Sequence, residues 1–148
     1  MDTILDPEWA DLPARAEEAM RRAYAPYSRF KVGSALLAAD GSIHLGCNVE
    51  NAAFGPTNCA ERTALFRAIA DGHAPGSFRA IAVIGDTREP IAPCGTCRQV
   101  MAELCSPDMP VILCSTNGSR RVTTVGDLLP GAFSLPREAT NQKGAGKS

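Results

Sequence analysis

Trp9, Leu12, Ala16, Met20 and Ala23 recur at near-helical spacing, so residues 7–24 are predicted to form an N-terminal helix that packs on the core and is broken at Pro13. The string Ala25-Pro26-Tyr27-Ser28 then turns the chain into an apolar run at 32–38, and Asp40-Gly41 is a hairpin signal before a second run at 43–49. These two runs are expected to pair antiparallel. Ala64, Leu65, Ala68 and Ile69 share one face of a helix over 59–70, which Gly72 stops. The apolar, partly branched segment 78–84 reads as a buried strand, and Pro93 opens a helix that runs to Leu104. Strands at 110–115 and 121–124 and a short helix at 125–129, stopped by Pro130-Gly131, complete the pattern. Alternating strands and helices predict an α/β fold: a three-layer α/β/α sandwich around a mixed sheet of about five strands.

Length fits one domain: 148 residues, 45% of them hydrophobic and 5% aromatic, bury a single ordinary core. Residues 1–136 are expected to form it, with the small, polar segment 137–148 as a disordered tail. Fifteen basic residues against sixteen acidic ones leave a net charge of −1, so no positive field gathers a polyanion and a nucleic-acid partner is not expected. Apolar runs fall far short of the roughly 20 residues that span a bilayer, so no membrane partner is expected either. The first residues carry Asp2, Asp6 and Glu8 where a secretory leader has a basic patch, which points to the cytoplasm. In that reducing compartment, six cysteines turn attention from disulfides to metal.

Two short strings carry the chemistry: Cys59-Ala60-Glu61 and Pro93-Cys94-Gly95-Thr96-Cys97, each opening a helix after sheet structure. Six cysteines in 148 positions give roughly 0.24 C-x-x-C pairs by chance, so the pair alone is weak. Joint placement is more specific, because helix N-termini favour negative charge and thiolate is the form that binds metal. Cys94 and Cys97 share a helix face, Cys59 adds a third sulfur, and a fourth zinc position stays open. An open position marks a catalytic zinc, whose water has a pKa lowered to about 7. Glu61 then lies beside the ion as a proton carrier without ligating it. Three thiolates on a 2+ ion leave excess negative charge, for which Arg62 is the expected compensator, with Arg98 and Gln99 as further candidates.

Other readings stand beside this one. Cys94 and Cys97 can be a redox pair, or part of a structural four-ligand site with Cys105, Cys114 or a histidine. Cys47, Cys105 and Cys114 lie in or at the end of apolar segments and read as small buried hydrophobes, and His44 and His73 as surface residues. By themselves, Asn48 and Glu50 read as a solvated strand end, and Phe133 as a seal on its own core.

The strings Cys59-Ala60-Glu61-Arg62-Thr63-Ala64, Pro93-Cys94-Gly95-Thr96-Cys97-Arg98-Gln99-Val100 and Gly46-Cys47-Asn48-Val49-Glu50-Asn51 together resemble the small, homotetrameric, zinc-dependent cytidine deaminases. Tyr24-Ala25-Pro26-Tyr27-Ser28-Arg29-Phe30 and Leu128-Leu129-Pro130-Gly131-Ala132-Phe133 extend the likeness over about residues 13–134. The resemblance implies one zinc per subunit on Cys59, Cys94 and Cys97, attack of zinc hydroxide on C4 of cytosine, and Glu61 protonating N3 and then the departing amino group. It further implies that Phe30 packs on the pyrimidine, the main chain at Ala60 reads its edge, and Asn48 and Glu50 bind the ribose hydroxyls. Arg62 would hydrogen-bond the thiolates, and Phe133 would reach into a neighbouring subunit's site in a homotetramer. The implied reaction is hydrolytic deamination of cytidine and deoxycytidine in pyrimidine salvage. Glu50 also favours a free nucleoside, because a carboxylate repels a 5′-phosphate. Phe54, where family members often carry tyrosine, and the variable approach Gly55-Pro56-Thr57-Asn58 bear on substrate tolerance. The competing expectations are a deaminase of another aminated nucleoside or nucleoside antibiotic, and a non-enzymatic zinc or thiol module. Base editing within RNA or DNA is disfavoured because no basic stripe is present.

Overall fold

A computed structural model describes residues 5–137. Among them the elements run α1 (Leu12–Met20), β1 (Val32–Ala38), β2 (Ile43–Cys47), α2 (Ala60–Ala70), β3 (Phe78–Gly85), α3 (Gly95–Leu104), β4 (Pro110–Ser115), β5 (Arg120–Thr124) and α4 (Val125–Leu128). The strands form one sheet in the order β2-β1-β3-β4-β5. It is mixed: β3 and β4 run parallel, and the other neighbours are antiparallel. Asp40-Gly41 turns the β1–β2 hairpin as expected, with Gly41 at φ 89°.

All seven residues of β1 are buried, because helices cover both faces of the sheet. Side chains alternate between the two covers. Ala35, Leu37, Ala80, Ala82, Ile84 and Ile112 meet Leu12 and Ala16 of α1. Leu36, Ile81, Val83, Val111 and Leu113 meet Ala64 and Leu65 of α2 and Met101 of α3. The three expected layers are therefore present, α1 forming one outer layer and α2 with α3 the other. Among the described residues no helix is long and apolar enough to cross a membrane.

Three local expectations change. The N-terminal helix covers only Leu12–Met20, and Pro13 lies in its first turn, where the missing amide is no loss. Beyond Met20 the chain leaves the helix because Tyr24 N donates to Asn48 O at 3.0 Å and Glu50 N to Tyr24 O at 2.8 Å. His44 is not a surface residue: it is 9% exposed, with Nε2 3.0 Å from Ser42 Oγ and Nδ1 3.5 Å from Asp71 Oδ2. Cys47 is half-buried, whereas Cys105 and Cys114 are buried as expected. Of the expected tail, Arg137 pairs with Glu103 Oε2 at 2.9 Å, and 138–148 lie outside the described residues.

Backbone-to-backbone contact sets the height of the site. A Cβ on Gly46 would fall 2.3 Å from Ala60 O and 2.4 Å from Ala64 N, so the first turn of α2 rests directly on β2. That turn follows Cys59 and contains Glu61. Gly46→Ala should therefore lower stability by about 2 kcal/mol and also reduce bound zinc, checked by thermal melting and metal analysis of the same sample.

Candidate active site

Cys59 and Cys94 occupy equivalent places. Each is the extended N-cap residue of its helix (φ −77°, ψ 158° and φ −70°, ψ 168°), and neither side chain caps the helix amides. Their sulfurs are thus free to face one another, at 3.8 Å. Cys97, in the first turn of α3, adds a third, and all three sulfurs lie within 4.8 Å of each other. Zn–S bonds of 2.3 Å in a tetrahedron require S···S separations of about 3.8 Å. The sulfur set fits zinc, and among the described residues no fourth Cys, His, Asp or Glu joins it.

Electrostatics point the same way. A hydrogen bond from Cys97, outweighing burial, and further bonds from Arg62 and Cys94 hold the Cys59 thiol down at about 5. The same bond, together with burial, pushes Cys97 up. Three thiolates this close repel one another, and holding all of them requires a cation. Arg62 Nη2 donates to Cys59 Sγ at 3.2 Å, and Arg62 Nε is buried without a hydrogen-bond partner. Its charge is directed at the sulfurs. Glu61 is 4% exposed, and burial, reinforced by the Cys59 charge, pushes its carboxyl up to about 7.

A cavity of about 280 Å³ opens onto this corner. Phe30, Asn48, Glu50, Ala60 and Glu61 all line it with Cys59 and Cys94, so the sequence-derived residues converge on one space. Asn48 bridges the loop, donating from Nδ2 to Phe30 O and accepting at Oδ1 from Val32 N, both at 2.8 Å. Glu50 Oε1 accepts from Tyr27 N at 2.9 Å and from Ser28 N at 3.1 Å. Gly85 leaves room beneath: a Cβ there would lie 3.0 Å from Phe30 Cζ and 3.1 Å from Ile91 Cδ1.

Three expected residues lie elsewhere. Gln99 donates from Nε2 to Phe133 O at 3.0 Å and so holds the C-terminal segment. Arg98 is likewise engaged with Pro93 O and Leu128 O, at 2.8 and 2.9 Å. Phe133 is 68% exposed and outside this chain's own cavity, so it does not seal its own core. Sequence reading missed Ser28, Ile91 and Thr57 in the wall. Only Ser28 carried a signal, a serine two residues before Phe30 whose Oγ accepts from Phe30 N at 3.0 Å.

Residues 8–113 match the family model described as the cytidine and deoxycytidylate deaminase zinc-binding region. The chain belongs to this deaminase family. It is 56% identical over 123 residues to a cytidine deaminase of Sporosarcina psychrophila, covering 83% of this chain and 89% of that one. Over 136 residues it is 39% identical to a cytidine deaminase of Mycobacterium tuberculosis, covering 90% and 97%. Its fold matches the crystal structure of cytidine deaminase from Burkholderia pseudomallei with a TM-score of 0.81 at 60% identity, covering 82% of this chain and 96% of that one. Zinc is accordingly the cofactor that the three sulfurs fit, one ion per chain.

As a member of this deaminase family, the chain should depend on Arg62 for turnover more than for metal. Arg62→Ala is expected to lower kcat roughly tenfold while keeping most of its zinc, read from steady-state rates and metal content.

Proposed function

We infer that this chain is a zinc-dependent cytidine deaminase, converting cytidine and deoxycytidine, with water, to uridine and deoxyuridine plus ammonia. The observation that carries the reading is a buried carboxylate, Glu61, beside a three-sulfur corner at the end of a cavity lined by Asn48 and Glu50. When bound by Cys59, Cys94 and Cys97, zinc supplies a water acidic enough to attack at neutral pH.

The remaining work falls to side chains. Glu61 takes the proton that the attacking water releases and delivers it to N3 of the pyrimidine; it then carries the remaining proton of the new C4 hydroxyl to the amino group, so that C4=O forms as the C4–N bond breaks and ammonia leaves. A carboxyl held near 7 by burial exchanges protons in both directions at physiological pH. Phe30 packs on the base, whose edge is read by the main chain at Ala60. Asn48 and Glu50 receive the sugar. Arg62 donates to Cys59 Sγ and limits the negative charge that the sulfurs place on the site.

Assembly completes the reading. Phe133 and Leu135, 68% and 71% exposed, are large apolar side chains left mostly uncovered among the described residues. In a homotetramer Phe133 reaches a neighbouring subunit's site. The setting is pyrimidine salvage in the cytoplasm.

Incubation with cytidine, followed by loss of the aminopyrimidine absorbance, tests the activity. Glu61→Gln should keep zinc and lose on the order of 10²–10⁴ in kcat, whereas a zinc-loaded wild type that leaves cytidine and deoxycytidine untouched would overturn this reading. Cytidine 5′-monophosphate should react at least about 100-fold less efficiently than cytidine, because Glu50 faces the sugar with negative charge. Glu50→Gln should narrow that gap.

A further inference from the structure

The loop that carries Phe30 is built in an unusual way. Arg29 sits at φ 59°, in the left-handed region that a side chain ordinarily avoids, so its surroundings must impose that conformation. Both peptide groups of Phe30 are held by side chains: its N–H by Ser28 Oγ at 3.0 Å and its C=O by Asn48 Nδ2 at 2.8 Å. The Ser28 hydroxyl in turn donates its single proton to Glu50 Oε2. Glu50 Oε1 accepts from the amides of Tyr27 and Ser28.

We propose that Ser28 is a positioning residue: its hydroxyl, anchored at the Phe30 amide, aims the Glu50 carboxylate at the substrate's sugar. The proposal rests on the reading of Glu50 as the sugar-binding residue.

An ionised carboxylate offers about four lone-pair directions. Three are taken by the loop, which leaves one for a substrate hydroxyl and fixes its direction. Packing cannot do this job. Ser28 and Glu50 line both the site cavity and an adjoining cavity of about 440 Å³ that also touches Tyr27 and Phe54. With open space on both sides, hydrogen bonds alone set where the carboxylate points. The hydroxyl of Ser28, ahead of the two amides, holds the Glu50 carboxyl below the usual carboxylate range, which keeps it an acceptor.

The test compares cytidine with 2′,3′-dideoxycytidine, which has no hydroxyl at the two ring positions, using KM and kcat for the first and KM or competitive Ki for the second. Ser28→Ala should raise KM for cytidine roughly tenfold, the scale of a lost charge-assisted hydrogen bond, and change kcat much less. Binding of the dideoxy compound should change less than about threefold, and Ser28→Thr, which keeps the hydroxyl, should restore cytidine binding. Ser28→Ala combined with Glu50→Ala should be no weaker than Glu50→Ala alone, since two residues acting through one contact are not additive.

Equal losses for both substrates, or additive losses in the double variant, overturn the proposal by reducing Ser28 to loop packing. A cytidine KM raised by Glu50→Ala but not by Ser28→Ala overturns the proposal alone. A cytidine KM unmoved by Glu50→Ala overturns the sugar-binding reading and the proposal with it.

Discussion

Three sulfur atoms within 4.8 Å of one another are the constraint around which the site is arranged. Their mutual hydrogen bond holds the Cys59 thiol down and pushes the Cys97 thiol up, so the sulfurs compete for negative charge. Bringing all three to the charged state needs a divalent ion, and the helices are started where that demand is cheapest to meet. Cys59 and Cys94 are N-cap residues, so unpaired amides and the positive ends of two helix dipoles converge on the sulfurs. Arg62 adds a full positive charge from the same turn that presents Glu61. The sheet supplies the rest: Gly46 lets α2 settle onto β2, and the β3–α3–β4 crossover delivers α3 alongside.

A second network, of neutral amides and one carboxylate, faces the first across the cavity. Asn48 and Glu50 follow directly from the end of β2, and their side chains fold back over the loop at residues 27–32. The sulfur corner is rigid because its parts are caps of helices fixed to a sheet. The opposing wall is a loop, and it gains its order from side chains that bond main-chain groups. The sulfur side and the loop side of the pocket thus derive their rigidity from different sources.

The chemistry was legible because it is written in short strings. Cys59, Glu61, Cys94 and Cys97 belong to two helix starts that local sequence marks, although Cys59 and Cys94 stand at the N-caps rather than within the first turns. The three layers followed from the alternation of strands and helices, and the β1–β2 hairpin from Asp40-Gly41, whereas the strand order came only with the structure. Features that depend on how elements meet were not legible. Gln99 lies on the expected helix, but the side of α3 on which its amide finds a partner depends on where Phe133 returns. His44 alternates outward by strand period alone, yet the C-terminal end of α2 crosses β2 and closes over its ring. Ser28 lies in the string Tyr24-Ala25-Pro26-Tyr27-Ser28-Arg29-Phe30, but its bonds to Glu50 and Phe30 depend on a loop that turns through a left-handed Arg29, which no residue preference foretells.

The two outer layers are unequal, and that has an optical consequence. The single tryptophan of the chain, Trp9, packs with Leu12 and Ala16 on the α1 side of the sheet, while the sulfurs and the cavity belong to the α2 and α3 side. Indole emission therefore reports when the thin α1 cover peels away. A pyrimidine entering on the far side of five strands gives it nothing to see.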